Sequence, residues 1–252
     1  SLSPARVHFV DLTDTLLSVE TRDRELAALL TLLRRRPGGA GWSEIAAQVA
    51  GARSAVDVLS ALLEDALFAS PDVETDLRAA AKDVSEWKTL GYRVVSVLDA
   101  DYPARLLDIR ETPPLLFYEG SLRQPDHGIS VVGSRSASSW GQRFAAGAAR
   151  YLVSEGLSVI AGLAAGIDTA AQTAALEAGG RTVAVLGTGI TRSYPASNAG
   201  LQRKIAESGL VLSQFYPEAP PTKHSFPMRN ATMSGYGLAT IVVEAAEHSG
   251  AR

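Results

Sequence analysis

The stretch Ile129-Ser-Val-Val-Gly-Ser-Arg-Ser-Ala-Ser-Ser-Trp-Gly141 decides how the second half of the chain is interpreted. Its apolar run stops at Gly133-Ser134 and a helical pattern follows, which is typical of a buried parallel strand turning into a helix. Backbone N–H groups at such a turn, together with the positive end of the helix dipole, favour anions. Arg135 adds a planar guanidinium suited to phosphate. The turn predicts a phosphate site, with an ordinary strand–helix turn and a solvated arginine as the alternative.

Short apolar runs alternate with amphipathic segments from Gly128 onward. This alternation indicates β-α-β units and a mainly parallel sheet covered on both faces. Two strand-like runs, 92–98 and 112–118, precede it. We therefore predict an α/β fold with a Rossmann-like, doubly wound, mainly parallel sheet over residues 89–252. The predicted strands of the alternating part are 129–133, 157–161, 182–187, 210–214 and 239–244, and its predicted helices are 139–155, 168–178 and 197–207.

Residues 1–88 predict a small, all-helical accessory domain. Helical patterns cover 24–36, 42–50, 54–63 and 72–88. A turn between two short helices is compatible with a DNA-binding helix-turn-helix or helix-hairpin-helix unit, but the charge balance favours a packed accessory bundle. The first 120 residues carry 13 Lys and Arg against 19 Asp and Glu, whereas the remaining residues carry 11 against 8. This asymmetry predicts that an anion-binding surface lies in the second half.

The composition argues against several classes of protein. The 252 residues contain no cysteine, which excludes disulfides and thiolate metal sites and agrees with a cytoplasmic protein. The four histidines show no metal-ligand spacing, so we expect no metal. No apolar run reaches the roughly 18 residues of a membrane span, and no signal-peptide pattern opens the chain. We expect no membrane association.

The unusual sequences of the second half all follow predicted strands. In a doubly wound sheet, ligands bind beyond the carboxyl ends of the strands, where the connections reverse. Cations for phosphates together with an aromatic ring for a base are typical of single-strand binders. The alternative places Phe226 in the core as an anchor for its loop. The candidate DNA-binding or phosphate-binding residues are Gly133, Ser134, Arg135, Gly162, Gly166, Lys223, Phe226, Arg229 and Asn230.

Catalytic motifs are missing from these turns. The first turn lacks the glycines of GxGxxG, and the chain contains neither GxxxxGK[ST] nor a Gly-x-Ser-x-Gly elbow. Asp168 and Glu244 are the candidate acids, and we expect Asp168 to cap the following helix and Glu244 to bond backbone N–H groups at a strand end. We therefore predict no catalytic residues and no cofactor.

Residues 85–252 resemble the DNA-processing protein A (DprA, or Smf) family. The resemblance rests on motifs that occur in the family's order: Asp101-Tyr-Pro, Pro113-Pro-Leu-Leu-Phe-Tyr118, Val131-Val-Gly-Ser-Arg135, Ser158-Val-Ile-Ala-Gly-Leu-Ala-Ala-Gly-Ile-Asp168, Ala175-Leu-Glu-Ala-Gly-Gly180, Val183-Ala-Val-Leu-Gly-Thr-Gly189, Tyr194-Pro195 with Asn198, Phe226-Pro-Met-Arg-Asn230 and Val242-Val-Glu-Ala245.

The resemblance implies a non-catalytic, cytoplasmic homodimer that binds single-stranded DNA and loads the RecA recombinase during natural transformation or recombination. It also implies that Arg135, Lys223 and Phe226 contact DNA, and that the helical segment is a SAM-like or hairpin-helix module. Two other functions stay open: a nucleotide-sensing protein of stress or defence, and a nucleoside-monophosphate hydrolase, whose Pro-Gly-Gly motif occurs here only at Pro37–Gly39.

The chain departs from the family at three places. Gln172 stands where the family usually has histidine, and Ala231-Thr-Met-Ser-Gly235 replaces a stretch with one more cation. The chain also ends at Arg252, where the family continues with another strand, a helix and often a winged helix. We therefore expect the sheet to lack its last strand and helix, as in a shortened chain or a divergent paralogue.

Overall fold

The computed structural model describes residues 21–64 and 72–245. The first 20 residues of the predicted helical domain, and the end of the chain where a last strand is expected to be absent, lie outside these ranges. Helices occupy Thr21–Arg35 (α1), Trp42–Ala52 (α2), Ala55–Glu64 (α3), Asp72–Thr89 (α4), Ser139–Ser154 (α5), Ile167–Glu177 (α6), Ala199–Ser208 (α7) and Ser225–Tyr236 (α8). Strands occupy Arg93–Ser96 (β1), Leu115–Gly120 (β2), Gly128–Val132 (β3), Ser158–Ala161 (β4), Thr182–Leu186 (β5), Leu210–Ser213 (β6) and Ala239–Val242 (β7).

The seven strands form one sheet in the order β1-β2-β6-β5-β4-β3-β7. The strands β6, β5, β4, β3 and β7 are parallel, and β2 pairs antiparallel with both β1 and β6. Buried strands read as continuous apolar runs because helices cover both faces, and β4, β5 and β6 are buried along their whole length. The predicted Rossmann-like, mainly parallel α/β fold is confirmed.

The connections reverse direction beside β3. From β3 the chain steps through α5, α6 and α7 to β4, β5 and β6, and then returns through α8 to β7 on the other side of β3. Right-handed crossovers place α5, α6 and α7 on one face and α8 on the other. Accordingly, Val131 packs in the α5–α6 core, whereas the neighbouring Ser130 donates to the carbonyl of Met233 in α8 at 3.2 Å.

The amino-terminal helices pack against the antiparallel side of the sheet through aromatic rings. The ring of Trp87, near the end of α4, meets Phe117 of β2 edge-on at 4.8 Å. Trp42, at the start of α2, meets Tyr216 beyond β6 at 5.8 Å. The helices and the sheet therefore share a continuous apolar core, and the domain boundary at residue 88 stays a prediction.

Within the described ranges, no single helix has both the length and the apolar composition needed to cross a membrane. The helices α2 and α3 reach that length and composition only as a pair, which is bent by 105°.

A buried ion pair fixes the amino ends of β3 and β4, opposite to the reversal point. Asp126 accepts hydrogen bonds from Arg181 at 2.7 Å, from the Ser158 hydroxyl at 2.6 Å and from the Tyr236 hydroxyl at 2.9 Å. Burial alone would raise the pKa of Asp126, but these donors, with the charge of Arg181, hold it below its usual value. The carboxylate therefore stabilises the fold in its ionised form.

We expect Asp126→Asn to lower the free energy of unfolding by about 3 kcal/mol near neutral pH, because one partner of a buried pair is left uncompensated. Since the folded pKa is depressed, the wild-type contribution is present above the unfolded pKa of about 4 and is lost as the pH falls below it. Urea denaturation at several pH values measures this. The exposed Glu155→Gln serves as control, and an equal effect of both substitutions would contradict the assignment.

Candidate nucleic-acid interface

A cleft of about 970 Å³ opens where the strand order reverses. The carboxyl ends of β3 and β7 and the first turns of α8 form its walls. Seven of the nine predicted site residues line it: Gly133, Ser134, Arg135, Lys223, Phe226, Arg229 and Asn230. Gly162 and Gly166 do not line it: Gly162 packs against the Arg229 guanidinium, and Gly166 packs against the backbone of Ser134 and Arg135. We call this cavity the strand-end cleft.

Arg135 and Phe226 form the mouth of the strand-end cleft. Arg135 is exposed, and its guanidinium carbon lies 4.7 Å from the centre of the Phe226 ring. The ring is half-buried. It lies over Gly187, where an added Cβ would stand 2.7 Å from Phe226 Cδ1. A cation and a braced aromatic ring are therefore presented together.

Tyr194, which is not among the candidate site residues of the sequence, places a second ring beside Phe226. Its centroid lies 5.6 Å from that of Phe226, and its side chain is 44% exposed. The motif Tyr194-Pro195 was visible in the sequence, but only the fold brings it to the ring of α8.

The helices predicted from the sequence do not include residues 223–230, but the chain is helical from Ser225 onward. The Ser225 amide donates to the Thr222 hydroxyl at 3.0 Å, and the Ser225 hydroxyl donates to the Gly187 carbonyl at 2.6 Å. Pro227 fits the first turn because its missing N–H would have no partner there. Phe226 therefore belongs to a helix pinned to the end of β5, and the exposed Lys223 lies just before it.

Arg229 is buried, with 5% of its surface exposed. Its Nη1 donates to the carbonyls of Gly162 and Val185, and its Nε donates to Asn230 Oδ1 at 2.9 Å. Burial lowers the pKa of Arg229, and the charge of Asp168 opposes this. These bonds tie α8 to the ends of β4 and β5. The structure thus gives Arg229 a positioning role in the fold, and the direct phosphate contact expected from the sequence stays a prediction.

Asp168 supports the same region from α6. Its carboxylate accepts from the backbone N–H of Gly162 at 2.9 Å and of Ala164 at 3.4 Å. Burial raises the pKa of Asp168, while the guanidinium of Arg229 favours the charged form. The prediction that Asp168 caps its own helix is wrong, because its acceptor atoms bind the loop that precedes the helix.

The loop between β4 and α6 is shaped by close backbone approaches. Gly166 has φ of 79°, and a Cβ there would overlap the carbonyl oxygen of Ser134. Leu163 adopts the left-handed region at φ 58°, and its carbonyl accepts from the Asn198 amide at 2.9 Å. A non-glycine residue is held in this conformation only where its surroundings fix it, and Leu163 is fully buried.

Backbone N–H groups at the amino end of α5 donate hydrogen bonds to side chains of the protein. Gly141 N–H donates to the Ser138 hydroxyl at 3.0 Å, and Ser138 N–H donates to Glu244 at 2.9 Å. Hydrogen bonds from Ser138 lower the pKa of Glu244. The expected role of Glu244 is confirmed. A carboxylate already accepts the Ser138 N–H at this helix terminus, so the phosphate site predicted at this turn stays a prediction and depends on the Arg135 side chain.

Gln172 occupies an interior position between α6 and β5. It is fully buried, and its amide nitrogen donates to the Val183 carbonyl at 3.2 Å and to the Thr182 hydroxyl at 3.4 Å. Gln172, which departs from the family pattern, therefore packs between α6 and the sheet and does not line the strand-end cleft.

The fold and the cleft define a Rossmann-like protein with a basic, ring-bearing site at the strand reversal. The sequence matches the family described as DNA recombination-mediator protein A over residues 93–252. The chain belongs to this family, and the resemblance inferred from its motifs is confirmed.

Curated relatives carry the same family names. DNA processing protein DprA of Streptococcus pneumoniae is 44% identical over 158 residues, which cover 62% of this chain and 55% of that protein. Protein Smf of Synechocystis is 39% identical over 158 residues, covering 61% of this chain and 40% of that protein. Putative DNA processing protein DprA of Mycobacterium tuberculosis is 33% identical over 212 residues, covering 81% and 51%. The chain thus spans about half the length of these relatives.

Two solved structures are similar. The X-ray structure of DprA from Streptococcus pneumoniae matches with a TM-score of 0.65 and 31% identity, covering 92% of this chain and 76% of that one. DprA from Helicobacter pylori, whose structure describes a single-stranded DNA binding mode, matches with a TM-score of 0.55 and 25% identity, covering 63% and 72%.

We expect Gly162→Ala to destabilise the protein by about 1–3 kcal/mol, the usual cost of forcing extra volume into a packed site. The added methyl would overlap the Arg229 guanidinium and break its bonds to the strand ends. Gly147→Ala, in the middle of α5 with open space at its Cβ, is the control and should stabilise by about 0.5–1 kcal/mol. Thermal unfolding compares the two, and equal stabilities would contradict the packing described.

Proposed function

We propose that this protein binds single-stranded DNA, without catalysis, at the strand-end cleft. The observation that carries the proposal is the stacking of the exposed Arg135 guanidinium on the half-buried Phe226 ring, with Lys223 exposed beside them. Guanidinium and ammonium groups bind phosphates, and a ring binds any base by its face, so the pair suits DNA of any sequence. The binding mode described for the Helicobacter pylori relative supports the same ligand.

The state of the candidate acids supports a non-catalytic role. Asp168 lines the strand-end cleft, but it is buried and its carboxylate accepts hydrogen bonds from loop N–H groups. The Glu244 carboxylate accepts hydrogen bonds from Ser138 at the start of α5. Both carboxylates are already engaged in hydrogen bonds within the protein, which disfavours their use as the general acid and base of a nucleoside-monophosphate hydrolase. We further propose that the protein acts in the cytoplasm as a homodimer and delivers the bound strand to RecA during transformation or recombination, as the family membership implies.

The decisive experiment titrates the protein with oligo-dT of about six nucleotides, a duplex of equal length and a panel of mononucleotides. We expect single strands to bind more tightly than the duplex or any mononucleotide. With two exposed cations, Arg135 and Lys223, the slope of log K against log salt should be about −1.4, at about −0.7 for each phosphate neutralised. Tighter binding of a mononucleotide would instead favour nucleotide sensing, and binding independent of salt would contradict the proposal.

Arg135→Ala should weaken binding of the short oligo-dT by about 1.5–3 kcal/mol, the worth of a hydrogen bond to a charged group. Its melting temperature should stay close to wild type, because an exposed arginine adds little stability. Arg123→Ala, an exposed arginine outside the cleft, is the matched control. The proposal fails if Arg135→Ala loses stability while retaining full affinity.

Phe226→Ala should weaken the same binding by about 1–3 kcal/mol through lost base stacking, while Phe226→Trp should retain it. Because the ring is half-buried, the alanine variant should also lose about 1 kcal/mol of stability, part of the value of a fully buried ring. Tyr118→Ala removes a half-buried ring on β2, away from the cleft, and should lose stability without losing affinity. If Phe226→Ala and Tyr118→Ala behave alike in both assays, the ring serves packing alone.

A further inference from the structure

The outer face of α5 carries three exposed aromatic side chains. Trp140, Phe144 and Tyr151 are 58%, 48% and 65% exposed. Their spacing of four and seven residues places them on one stripe of the helix. The rings of Trp140 and Phe144 are stacked, with centroids 5.3 Å apart and planes 25° apart. Large exposed apolar patches on a protein surface mark interaction sites. None of these three rings lines the strand-end cleft.

Two arginines flank the aromatic stripe on the side of α6. Arg143 and Arg150 are both exposed and lie seven residues apart, which is about 10 Å along a helix. Together with Thr169 and Thr173 of α6 they line a groove of about 550 Å³. Arg150 is 4.0 Å from Glu177, with both side chains more than half exposed, so this ion pair is weak. Within the described residues, Arg143 makes no ion pair.

Arg135 lines both the strand-end cleft and this groove. The two cavities are therefore neighbours that share one cation. A strand whose phosphate binds at Arg135 can continue along α5 without leaving basic surface.

We propose that the outer face of α5 is a second segment of the DNA track, which binds the single strand after it passes Arg135. Arg143 and Arg150 bind its phosphates, and the rings of Trp140, Phe144 and Tyr151 stack on its bases. The stripe spans about 16 Å of helix, enough for several nucleotides. This inference rests on the proposed function of the strand-end cleft.

The charge pattern selects DNA over a protein as the occupant. Exposed rings alone would fit an apolar partner or a second copy of this chain. Cations along one edge, continuous with a basic cleft, are instead the pattern of single-strand binders, in which a positive groove follows the backbone while rings stack on bases.

The test compares oligo-dT of about six nucleotides, which fills only the cleft, with one of about twenty, which reaches α5. The wild-type salt slope should steepen by about −1.4 for the longer strand, because two more phosphates are neutralised. The double variant Arg143→Ala with Arg150→Ala should lose this increment and about tenfold or more in affinity for the longer strand. Its affinity for the shorter strand should be unchanged.

Two further variants complete the test. Trp140→Ala with Phe144→Ala should weaken the longer strand selectively, by about fivefold or more, since base stacking is lost. Arg203→Ala with Lys204→Ala removes two exposed cations from α7 and should match wild type with both strands. Thermal unfolding checks that each variant folds, and the arginine pair tests the track even if the aromatic pair is unstable.

Three outcomes would overturn the proposal. The first is an unchanged salt slope in the arginine double variant, and the second is equal wild-type slopes for both strands. The third is a change of oligomeric state in the aromatic variant with DNA binding unaltered, which would assign the stripe to protein contact. Failure of the strand-end cleft itself is distinct, because then the short oligo-dT would bind equally to wild type and Arg135→Ala.

Discussion

The shape of the cleft depends on the hydrogen bonds that the buried Arg229 guanidinium donates. It bonds the carbonyls at the ends of β4 and β5 from α8, and Asp168 opposes the cost of burying its charge. In a low-dielectric interior such bonds are strong, and an unpaired partner is expensive. The first turn of α8 is consequently fixed relative to the sheet, and with it the ring of Phe226.

Two arginines of the same region therefore have separate tasks. Arg229 donates hydrogen bonds to backbone carbonyls inside the protein, whereas the Arg135 guanidinium lies at the surface over the Phe226 ring. Since an exposed guanidinium on a ring needs no further protein partner, it stays available for a phosphate. The buried Arg229 thus fixes the helix that carries the Phe226 ring, and the proposed binding surface is preorganised.

The sequence predicted the sheet well because its signals are local. Runs such as 182–187 are apolar throughout, and the observed strand, Thr182–Leu186, differs by one residue. The helix α8 was missed because Lys223–Asn230 is polar and contains proline, although a proline in the first turn of a helix is permitted. The role of Arg229 could not be predicted, since its carbonyl partners lie 67 and 44 residues away in the chain. The orientation of Asp168 toward the preceding loop likewise depends on tertiary contacts.

The central claim is that single-stranded DNA meets the protein at the ring of Phe226. Ultraviolet cross-linking of the protein to short oligo-dT, followed by mass spectrometry of the peptides, tests this most directly. The account predicts that a peptide containing Phe226 or the neighbouring Tyr194 carries the cross-linked thymine. Cross-links confined to the amino-terminal helices within residues 21–64 and 72–89, with none at either ring, would contradict it.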